Sequence, residues 1–368
     1  MSISRRTFVH AGLCGAVFAC AGSGRALAAP ASTRYVCPPC GCAADGRIFD
    51  GPGTCPACGM RLVVHPDDLP FEPQSLAPGA GAFRVRGGRG REDKAIIVHH
   101  YRPAALTPDS PILLVLPGAG RNGDDYRDSW IAAAEAHNIL VAALAYSESD
   151  YDFAAYHMGG VIKNLRISNM PTGPDGRQPT NIHLRDEDFR FDINDRPETW
   201  LFNDFDRIFA ILAGAVGSSR QLYDLFGHSA GGQILHRFAL FQPSSRADRI
   251  VAANSGFYTL PDFSVPQPFG LAGTGLTESS LAAAFSRKLT LLLGELDNHP
   301  ERGGIHLHTP LADSQGLDRL SRGRFFFEVA RRQAERLGHA LNWELEVVPG
   351  VAHDHVGMGR AAARLLYA

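Results

Sequence analysis

The sequence predicts an α/β fold, in which helices cover both faces of a mostly parallel sheet, preceded by a small cysteine-rich module. Apolar runs of strand length alternate with helical patterns from residue 83 to the C-terminus, which is typical of parallel sheets. One of these runs passes through a glycine-flanked turn directly into a helix. Five of the seven cysteines lie between Cys37 and Cys58, and none follows. The chain therefore divides into two folded parts.

Residues 1–28 have the pattern of an export signal. Arg5 and Arg6 precede a weakly hydrophobic stretch that ends in an A-x-A site at Ala28. This order predicts a twin-arginine signal peptide, with the twin-arginine translocase as a partner during export. We expect a bacterial protein that is periplasmic or secreted. Lipidation at Cys20 is the alternative, and the residues before it fit a lipoprotein site poorly.

Residues 33–64 contain two C-x2-C pairs, which are Cys37 with Cys40 and Cys55 with Cys58. Two such pairs can present four thiolates to one tetrahedral ion. We therefore predict a metal site made of these four cysteines, with Zn²⁺ as first choice and Cu(I) as second, because soft thiolates suit both. Cys42 and Met60 offer further soft ligands.

Disulfide bonds are the alternative reading of this module, since an oxidising envelope favours them. An odd number of cysteines cannot all pair, however, and twin-arginine substrates are exported folded, so a metal can travel inside the protein. So small a module also has too little core to fold unaided, which favours a metal that supplies folding energy. Residues 35–38 and 52–60 resemble zinc ribbons and short heavy-metal-binding modules.

Residues 65–82 are rich in proline and glycine and predict a linker. The larger domain, 83–368, begins with predicted strands over 83–86, 95–101, 111–116 and 138–146. Residues 147–198 show little periodicity, and we interpret them as a long loop that forms one wall of a cleft. Candidate contacts there are Tyr156, His157 and Asn169. A second candidate wall runs from Tyr258 to Phe269.

The stretch Gly227-His-Ser-Ala-Gly231 places Ser229 between two glycines, after an apolar strand and before a helix. Glycine at both flanks permits a turn too tight for side chains. This G-x-S-x-G context is typical of a nucleophile elbow, so Ser229 is the candidate nucleophile.

A serine nucleophile needs a base, and the base needs an acid that orients it. Asp297 follows the next apolar strand, 288–294, and is the candidate acid, with Glu295 as its competitor. His353 follows the last predicted strand, 342–348, and is the candidate base, with His355 as its rival. This order of serine, acid and histidine along the chain is that of an α/β-hydrolase.

The oxyanion formed during acyl transfer needs backbone N–H donors. The first predicted donor is Ala230, the residue after the serine. The second is Ala119, with Gly120 next, in the glycine-rich loop that follows the strand 111–116.

These motifs resemble the α/β-hydrolase superfamily and, within it, the secreted esterases of the polyhydroxybutyrate depolymerase and feruloyl esterase group. The resemblance covers residues 83–368 and rests on the segments 116–123, 227–231, 294–297 and 350–353. It implies an α/β-hydrolase fold and acyl transfer through Ser229, His353 and Asp297, with no organic cofactor.

Composition narrows the function further. The formal net charge of −2 provides no general basic face for nucleic acid, and no run outside the signal is long enough for a stable membrane span. We predict an exported serine hydrolase that acts on a small-molecule or polymeric ester. The alternatives are a peptidase or amidase that uses the same three residues, and a metal-binding envelope protein whose hydrolase domain is silent.

Overall fold

The structure is a computed structural model that describes residues 33–38, 42–173, 179–299 and 304–368. The predicted signal peptide, 1–28, and Cys40 lie outside the described residues. No helix in the part of the chain that is described has the length and apolar character needed to cross a membrane.

The described strands are β1 (Tyr35–Val36), β2 (Ile48–Phe49), β3 (Val63–Val64), β4 (Gly79–Arg86), β5 (Ala95–Arg102), β6 (Ile112–Leu116), β7 (Leu140–Tyr146), β8 (Ile162–Ile167), β9 (Asn181–His183), β10 (Phe189–Ile193), β11 (Tyr223–His228), β12 (Ala247–Ala253), β13 (Lys288–Gly294), β14 (His306–His308) and β15 (Glu344–Val348).

The described α-helices are α1 (Gly123–Ser129), α2 (Ile131–His137), α3 (Phe153–Tyr156), α4 (Asn203–Val216), α5 (Ala230–Phe241), α6 (Glu278–Phe285), α7 (Pro310–Asp313), α8 (Arg319–Leu337) and α9 (His355–Tyr367).

Eight strands form the central sheet, in the order β15-β13-β12-β11-β6-β7-β5-β4. The pairs from β15 to β7 are parallel, and β5 joins β7 and β4 in antiparallel fashion. Every residue of β6, β7 and β11 is buried, as expected for strands covered on both faces. The mostly parallel sheet predicted from the alternating pattern is confirmed.

Helices pack on both faces of this sheet. Leu114 and Leu116 of β6 point into a core that is shared with α4, α5, α6 and α8. Leu113 and Val115 point into the opposite core, which is shared with α1, α2 and α9. Alternate side chains of one strand thus enter different cores, and this is why the strand is apolar throughout.

The segment 147–198, interpreted from the sequence as a long loop, contains short secondary-structure elements. Its strands β8 and β10 pair antiparallel, and β9 pairs parallel with β14. Both β8 and β10 are largely exposed or half-buried, so they lack the strong apolar pattern that predicts a strand. Met158, Ile162, Phe257 and Phe269 form a small separate core beneath them.

The cysteine-rich module is a three-stranded antiparallel sheet in the order β2-β1-β3. Its core consists of four buried residues, namely Cys37, Ala44, Cys55 and Leu62. The chain then runs along the larger domain, where Phe71 forms a parallel bridge with Arg84 of β4. The strand β4 itself begins at Gly79, within the segment predicted as a linker.

Candidate active site

Ser229 lies in the sharp turn between β11 and α5. Its backbone angles are φ 58° and ψ −113°, in a region that residues other than glycine rarely adopt. A side chain at Gly227 would collide with the backbone of Gly231, and a side chain at Gly231 would collide with the carbonyl of Leu116. The turn therefore requires both glycines.

Asp297 and His353 meet through a hydrogen bond of 2.8 Å between His353 Nδ1 and Asp297 Oδ2. Asp297 follows β13 and is 2% exposed, and His353 lies in the loop between β15 and α9. Because a carboxylate can only accept, Nδ1 donates the proton and Nε2 of the neutral ring remains an acceptor.

The surroundings of His353 favour its neutral form. Burial lowers the pKa of His353 below its ordinary value of 6.5, and the positive charge of Arg319 acts in the same direction. The hydrogen bond and the charge of Asp297 oppose this shift, as does the charge of Asp354. A neutral imidazole at pH 7 can accept the proton of a hydroxyl group.

The ring of His353 lies beside the serine turn. Its centroid is 4.5 Å from that of His228, the residue that precedes Ser229. His228 is buried, and its Nδ1 lies 3.1 Å from the hydroxyl of Tyr126. Burial holds the pKa of His228 well below its ordinary value, so this ring is neutral. The fold thus brings the pair of Asp297 and His353 to the turn that carries Ser229.

The two rival residues have other partners. Glu295 is exposed, and its carboxylate accepts the backbone N–H of Gly350 at 2.8 Å. His355 begins α9 and stacks on Tyr126 at 4.3 Å between ring centroids, with its Nε2 3.3 Å from the Asp125 carboxylate. Both residues therefore support the loops around the site rather than joining the Asp297–His353 pair.

The predicted oxyanion donors lie on the two segments that flank Ser229. Ala230 is the first residue of α5, where backbone N–H groups have no partner within the helix. Ala119 is exposed in the loop after β6. The preceding residue, Gly118, approaches the serine so closely that a Cβ placed on it would lie 3.5 Å from Ser229 Cβ. This arrangement can direct backbone dipoles toward a carbonyl oxygen held at the serine.

Sequence reasoning missed two residues that hold the site together. Arg319 Nη1 lies 3.3 Å from Asp297 Oδ1, and both side chains are buried. Asn254, at φ 48°, accepts the N–H of Gly294 at 2.7 Å and donates to the Ala352 carbonyl at 3.1 Å. Arg319 lies on a helix with no local motif. Asn254 carried one usable signal, a polar residue directly after an apolar strand.

The side chains of segment 147–198 that were predicted to contact a substrate are mostly bonded to, or buried against, other parts of the protein. The hydroxyl of Tyr156 is buried and donates to the Pro117 carbonyl at 2.6 Å, so it supports the loop after β6. Asn169 donates to the carboxylate of Asp188 at 2.7 Å. Burial lowers the pKa of His157 to about 3, so its ring is neutral. At the second candidate wall, Tyr258 is buried in the core that β6 shares with α4, α5, α6 and α8, and Phe269 is buried in the small separate core.

A second site lies in the cysteine-rich module, where four thiol groups fall within 4.8 Å of one another; they belong to Cys37, Cys42, Cys55 and Cys58. The sulfurs of Cys37 and Cys58 are 3.5 Å apart, and those of Cys42 and Cys55 are 3.8 Å apart. Zinc–sulfur bonds of about 2.3 Å in a tetrahedron separate the sulfurs by roughly 3.8 Å. The donor set and its dimensions therefore fit a tetrahedral thiolate metal site.

Three of the four predicted ligands, Cys37, Cys55 and Cys58, belong to this cluster, and the fourth, Cys40, lies outside the described residues and stays a prediction. The thiol of Cys42, which the sequence offers as a further soft ligand, also lies within the cluster. Met60 packs against the core of the module, and its carbonyl accepts the N–H of Cys55 at 2.7 Å.

Known proteins resemble both the cysteine-rich module and the larger domain. The heavy metal binding domain family matches residues 34–65. Comparison with curated proteins gives no match. Among solved structures, the chain is similar to poly(aspartic acid) hydrolase-1 from Sphingomonas sp. KT-1, with 34% identity, a TM-score of 0.67, and coverage of 80% of this chain and 100% of that one.

It is also similar to the poly(3-hydroxybutyrate) depolymerase LpqC from Bordetella parapertussis. That match has 31% identity and a TM-score of 0.68, and it covers 82% of this chain and 95% of the other. For both structures, the sequence identity exceeds 30% and the match covers at least four fifths of each chain, which indicates a common family and not only a common fold. The protein therefore belongs to the α/β-hydrolase family that includes these two enzymes, with a heavy metal binding domain at its N-terminus.

Proposed function

We propose that the protein is an exported serine hydrolase that cleaves carboxylic esters. The observation that carries this proposal is the 2.8 Å hydrogen bond between His353 and Asp297, beside the strained turn that carries Ser229. A hydrogen-bonded acid and base at a serine held in this conformation are the components that acyl transfer requires. Export rests on the signal pattern of residues 1–28.

In the proposed reaction, Ser229 Oγ attacks the ester carbonyl while His353 Nε2 takes its proton. Asp297 keeps the imidazole oriented and stabilises the imidazolium that forms. The backbone N–H groups of Ala230 and Ala119 stabilise the oxyanion, a contribution of about 3 kcal/mol for each donor. His353 then protonates the departing alcohol, and water hydrolyses the acyl-enzyme by the same steps.

The cysteine-rich module would hold one Zn²⁺ through four thiolates. The support for this is the sulfur cluster together with the match to the heavy metal binding domain. The ion would supply folding energy to a module whose own core is very small. With four protein ligands the site is closed, which is typical of a structural metal rather than a catalytic one.

An amide hydrolase that uses the same residues is the second candidate. The similarity to poly(aspartic acid) hydrolase-1 favours it, because poly(aspartic acid) is a polyamide. Parallel assays with an activated ester and an aminoacyl anilide separate the two. We expect the ester to react faster, and a faster anilide would favour the second candidate.

Fluorophosphonate labelling of the mature protein, followed by peptide mapping, tests the proposal directly. We expect one label on Ser229, and none after the substitution Ser229→Ala. The exposed Ser279 offers a matched control, since the substitution Ser279→Ala should leave labelling unchanged. A label on another residue would contradict the assignment of Ser229, and no label on the folded protein would favour a silent hydrolase domain.

A further inference from the structure

The loop between β6 and α1 contains a tight turn that carries the second predicted oxyanion donor. The backbone N–H of Arg121 donates to the Gly118 carbonyl at 3.1 Å, which closes this turn around Ala119 and Gly120. Arg121 has φ 53°, a left-handed conformation that is unfavourable for a residue with a Cβ atom. Such strain persists only where the surrounding structure compensates for it. The turn therefore depends on contacts outside its own backbone.

The side chain of Arg121 supplies contacts of this kind. It is buried, and its Nη1 donates to the carbonyls of Tyr146 at 2.9 Å and Tyr151 at 3.1 Å. Its guanidinium group lies over the ring of Tyr156, 3.8 Å from the centroid, and the hydroxyl of that tyrosine donates to the Pro117 carbonyl. The two side chains thus hold the loop at both of its ends, and they fasten it to the end of β7 and to α3.

The oxyanion loop, defined here as residues 117–121, lies directly against the nucleophile. Gly118 approaches Ser229 so closely that a Cβ placed on it would lie 3.5 Å from the serine Cβ. A displaced loop would move the Ala119 N–H away from an oxygen held at Ser229, and hydrogen bonds weaken steeply as their angle worsens. Because these donors have to fit the oxyanion rather than the ester carbonyl, the displacement would cost transition-state stabilisation.

An arginine suits this position better than a lysine would. The planar guanidinium group donates to two backbone carbonyls while its flat face stacks on the aromatic ring of Tyr156. The compact ammonium group of a lysine has no planar face to stack in this way. Since its hydrogen-bond acceptors are main-chain carbonyls, the Arg121 side chain fixes the path of the backbone on which the loop rests.

We propose that Arg121 and Tyr156 are positioning residues that hold the oxyanion loop at its working distance from Ser229. The inference rests on the proposed esterase function and deepens it, because it assigns two further residues to the same site. Neither side chain needs to touch the substrate. Both act through the loop, whose backbone N–H groups are predicted to stabilise the tetrahedral intermediate.

The test separates the loop contacts from the general effect of removing a buried arginine. Arg121→Met removes the planar donor group, and Tyr156→Phe removes a single hydroxyl. Arg127→Met is the matched control, since Arg127 is also buried and its Nη1 donates to the carbonyls of Gly81 and His100 at 3.3 and 3.4 Å. Thermal unfolding establishes that each variant is folded at the temperature of the assay.

The assay measures kcat and KM for a short activated ester, together with Ki for a trifluoromethyl ketone. This ketone forms a tetrahedral adduct with an active-site serine, so its affinity reports on the oxyanion. We expect Arg121→Met to lower kcat and raise Ki about a hundredfold each, with a smaller change in KM, because misplaced donors act on the tetrahedral state. Tyr156→Phe should change both about tenfold in the same direction. Arg127→Met should lower Tm and leave kcat and Ki unchanged.

Two outcomes would overturn the inference outright, namely wild-type kcat and Ki in both folded loop variants, or a KM that rises by the same factor as Ki. A fall in kcat with a shifted acidic limb of kcat/KM would also overturn it. That effect would act through His353, whose pKa responds to the charges of Arg319, Asp297 and Asp354. A wild-type protein that neither hydrolyses the ester nor binds the ketone would instead contradict the proposed function, so the two failures are distinguishable.

Discussion

The carboxylate of Asp297 uses its two oxygens for different partners. Oδ2 accepts from His353, and Oδ1 is paired with Arg319, which also donates to the Ile305 carbonyl at 3.1 Å. A carboxylate held from both sides has one orientation, so the imidazole that it contacts has one as well. Arg319 therefore positions Asp297 and, through it, the ring of His353, and it contributes a positive charge near that ring.

Replacement of Arg319 by methionine should affect both stability and the pH dependence of activity. The free energy of unfolding should fall by about 3–5 kcal/mol, because a buried carboxylate loses its partner. The positive charge of Arg319 lowers the pKa of His353, so its removal should raise that pKa and move the acidic limb of kcat/KM to higher pH. Arg324→Met, at an exposed position of the same helix, is the control. An acidic limb that does not move would contradict this role.

The wild-type protein should remain active at mildly acidic pH. Burial lowers the pKa of His353 below 6.5, and only the neutral ring can act as a base. The activity should therefore be complete above the lowered pKa and be lost as the pH falls through it. A kcat/KM profile with an acidic midpoint below 6.5 is expected, and a midpoint above 6.5 would contradict the burial seen in the structure.

The Asn254 side chain links Gly294, the last residue of β13, to the loop that carries His353. Asn254→Gly would remove both side-chain hydrogen bonds while keeping the left-handed backbone at φ 48°. We expect kcat to fall about tenfold or more, with a smaller change in KM, because the acid and base lose their alignment. Asn164→Gly, at φ 55° and at an exposed position of β8, is the control. Equal effects of the two substitutions would show a general backbone effect instead.

At the scale of elements, the site residues that could be predicted from the sequence are those that directly follow a strand of the central sheet. β11, β13 and β15 are recognisable from their apolar runs, and the candidate residues follow these strands directly. Their catalytic roles remain predictions. Arg319 and Asn254 could not be identified in this way, since each acts across a tertiary contact. The Asn254 side chain, for example, reaches Ala352, which lies 98 residues further along the chain.

The cysteine-rich module holds more thiols than one tetrahedral site needs. Two C-x2-C pairs predict Cys37, Cys40, Cys55 and Cys58 as ligands, and Cys40 lies outside the described residues. The described cluster includes the thiol of Cys42, which the sequence offers as a further soft ligand. Substitution of each cysteine therefore decides between Cys40 and Cys42 as the fourth ligand.

The zinc content of two variants, Cys42→Ser and Cys40→Ser, gives a direct comparison. Cys42→Ser should abolish stoichiometric zinc binding, because it removes one of the four clustered thiolates. Cys40→Ser should leave about one zinc per chain, because the four clustered thiolates remain and are enough for a closed structural site. Elemental analysis of the purified variants measures both. Loss of zinc from Cys40→Ser alone would restore the ligand set that the spacing predicted.

At the scale of the whole molecule, the fold class followed from the sequence because burial on both faces makes central strands apolar throughout, and the confirmed sheet has this character. The path of residues 65–82 could not be foreseen. It depends on contacts with β4, such as the bridge between Phe71 and Arg84. A proline-rich composition indicates a connection but not its path.

The segment ahead of the larger domain also caps the outermost strand of its sheet. Arg84 donates its N–H to the Pro70 carbonyl at 2.7 Å, and its own carbonyl accepts from Glu72 at 3.0 Å. The ring of Phe71 lies under the guanidinium groups of Arg84 and Arg86, at 4.2 and 5.3 Å. The unpaired backbone N–H and C=O groups of an uncovered edge strand favour self-association. A recombinant fragment starting at residue 79, which keeps all of β4 but lacks the covering segment, should therefore aggregate, whereas one starting at residue 66 should elute as a monomer in size-exclusion chromatography.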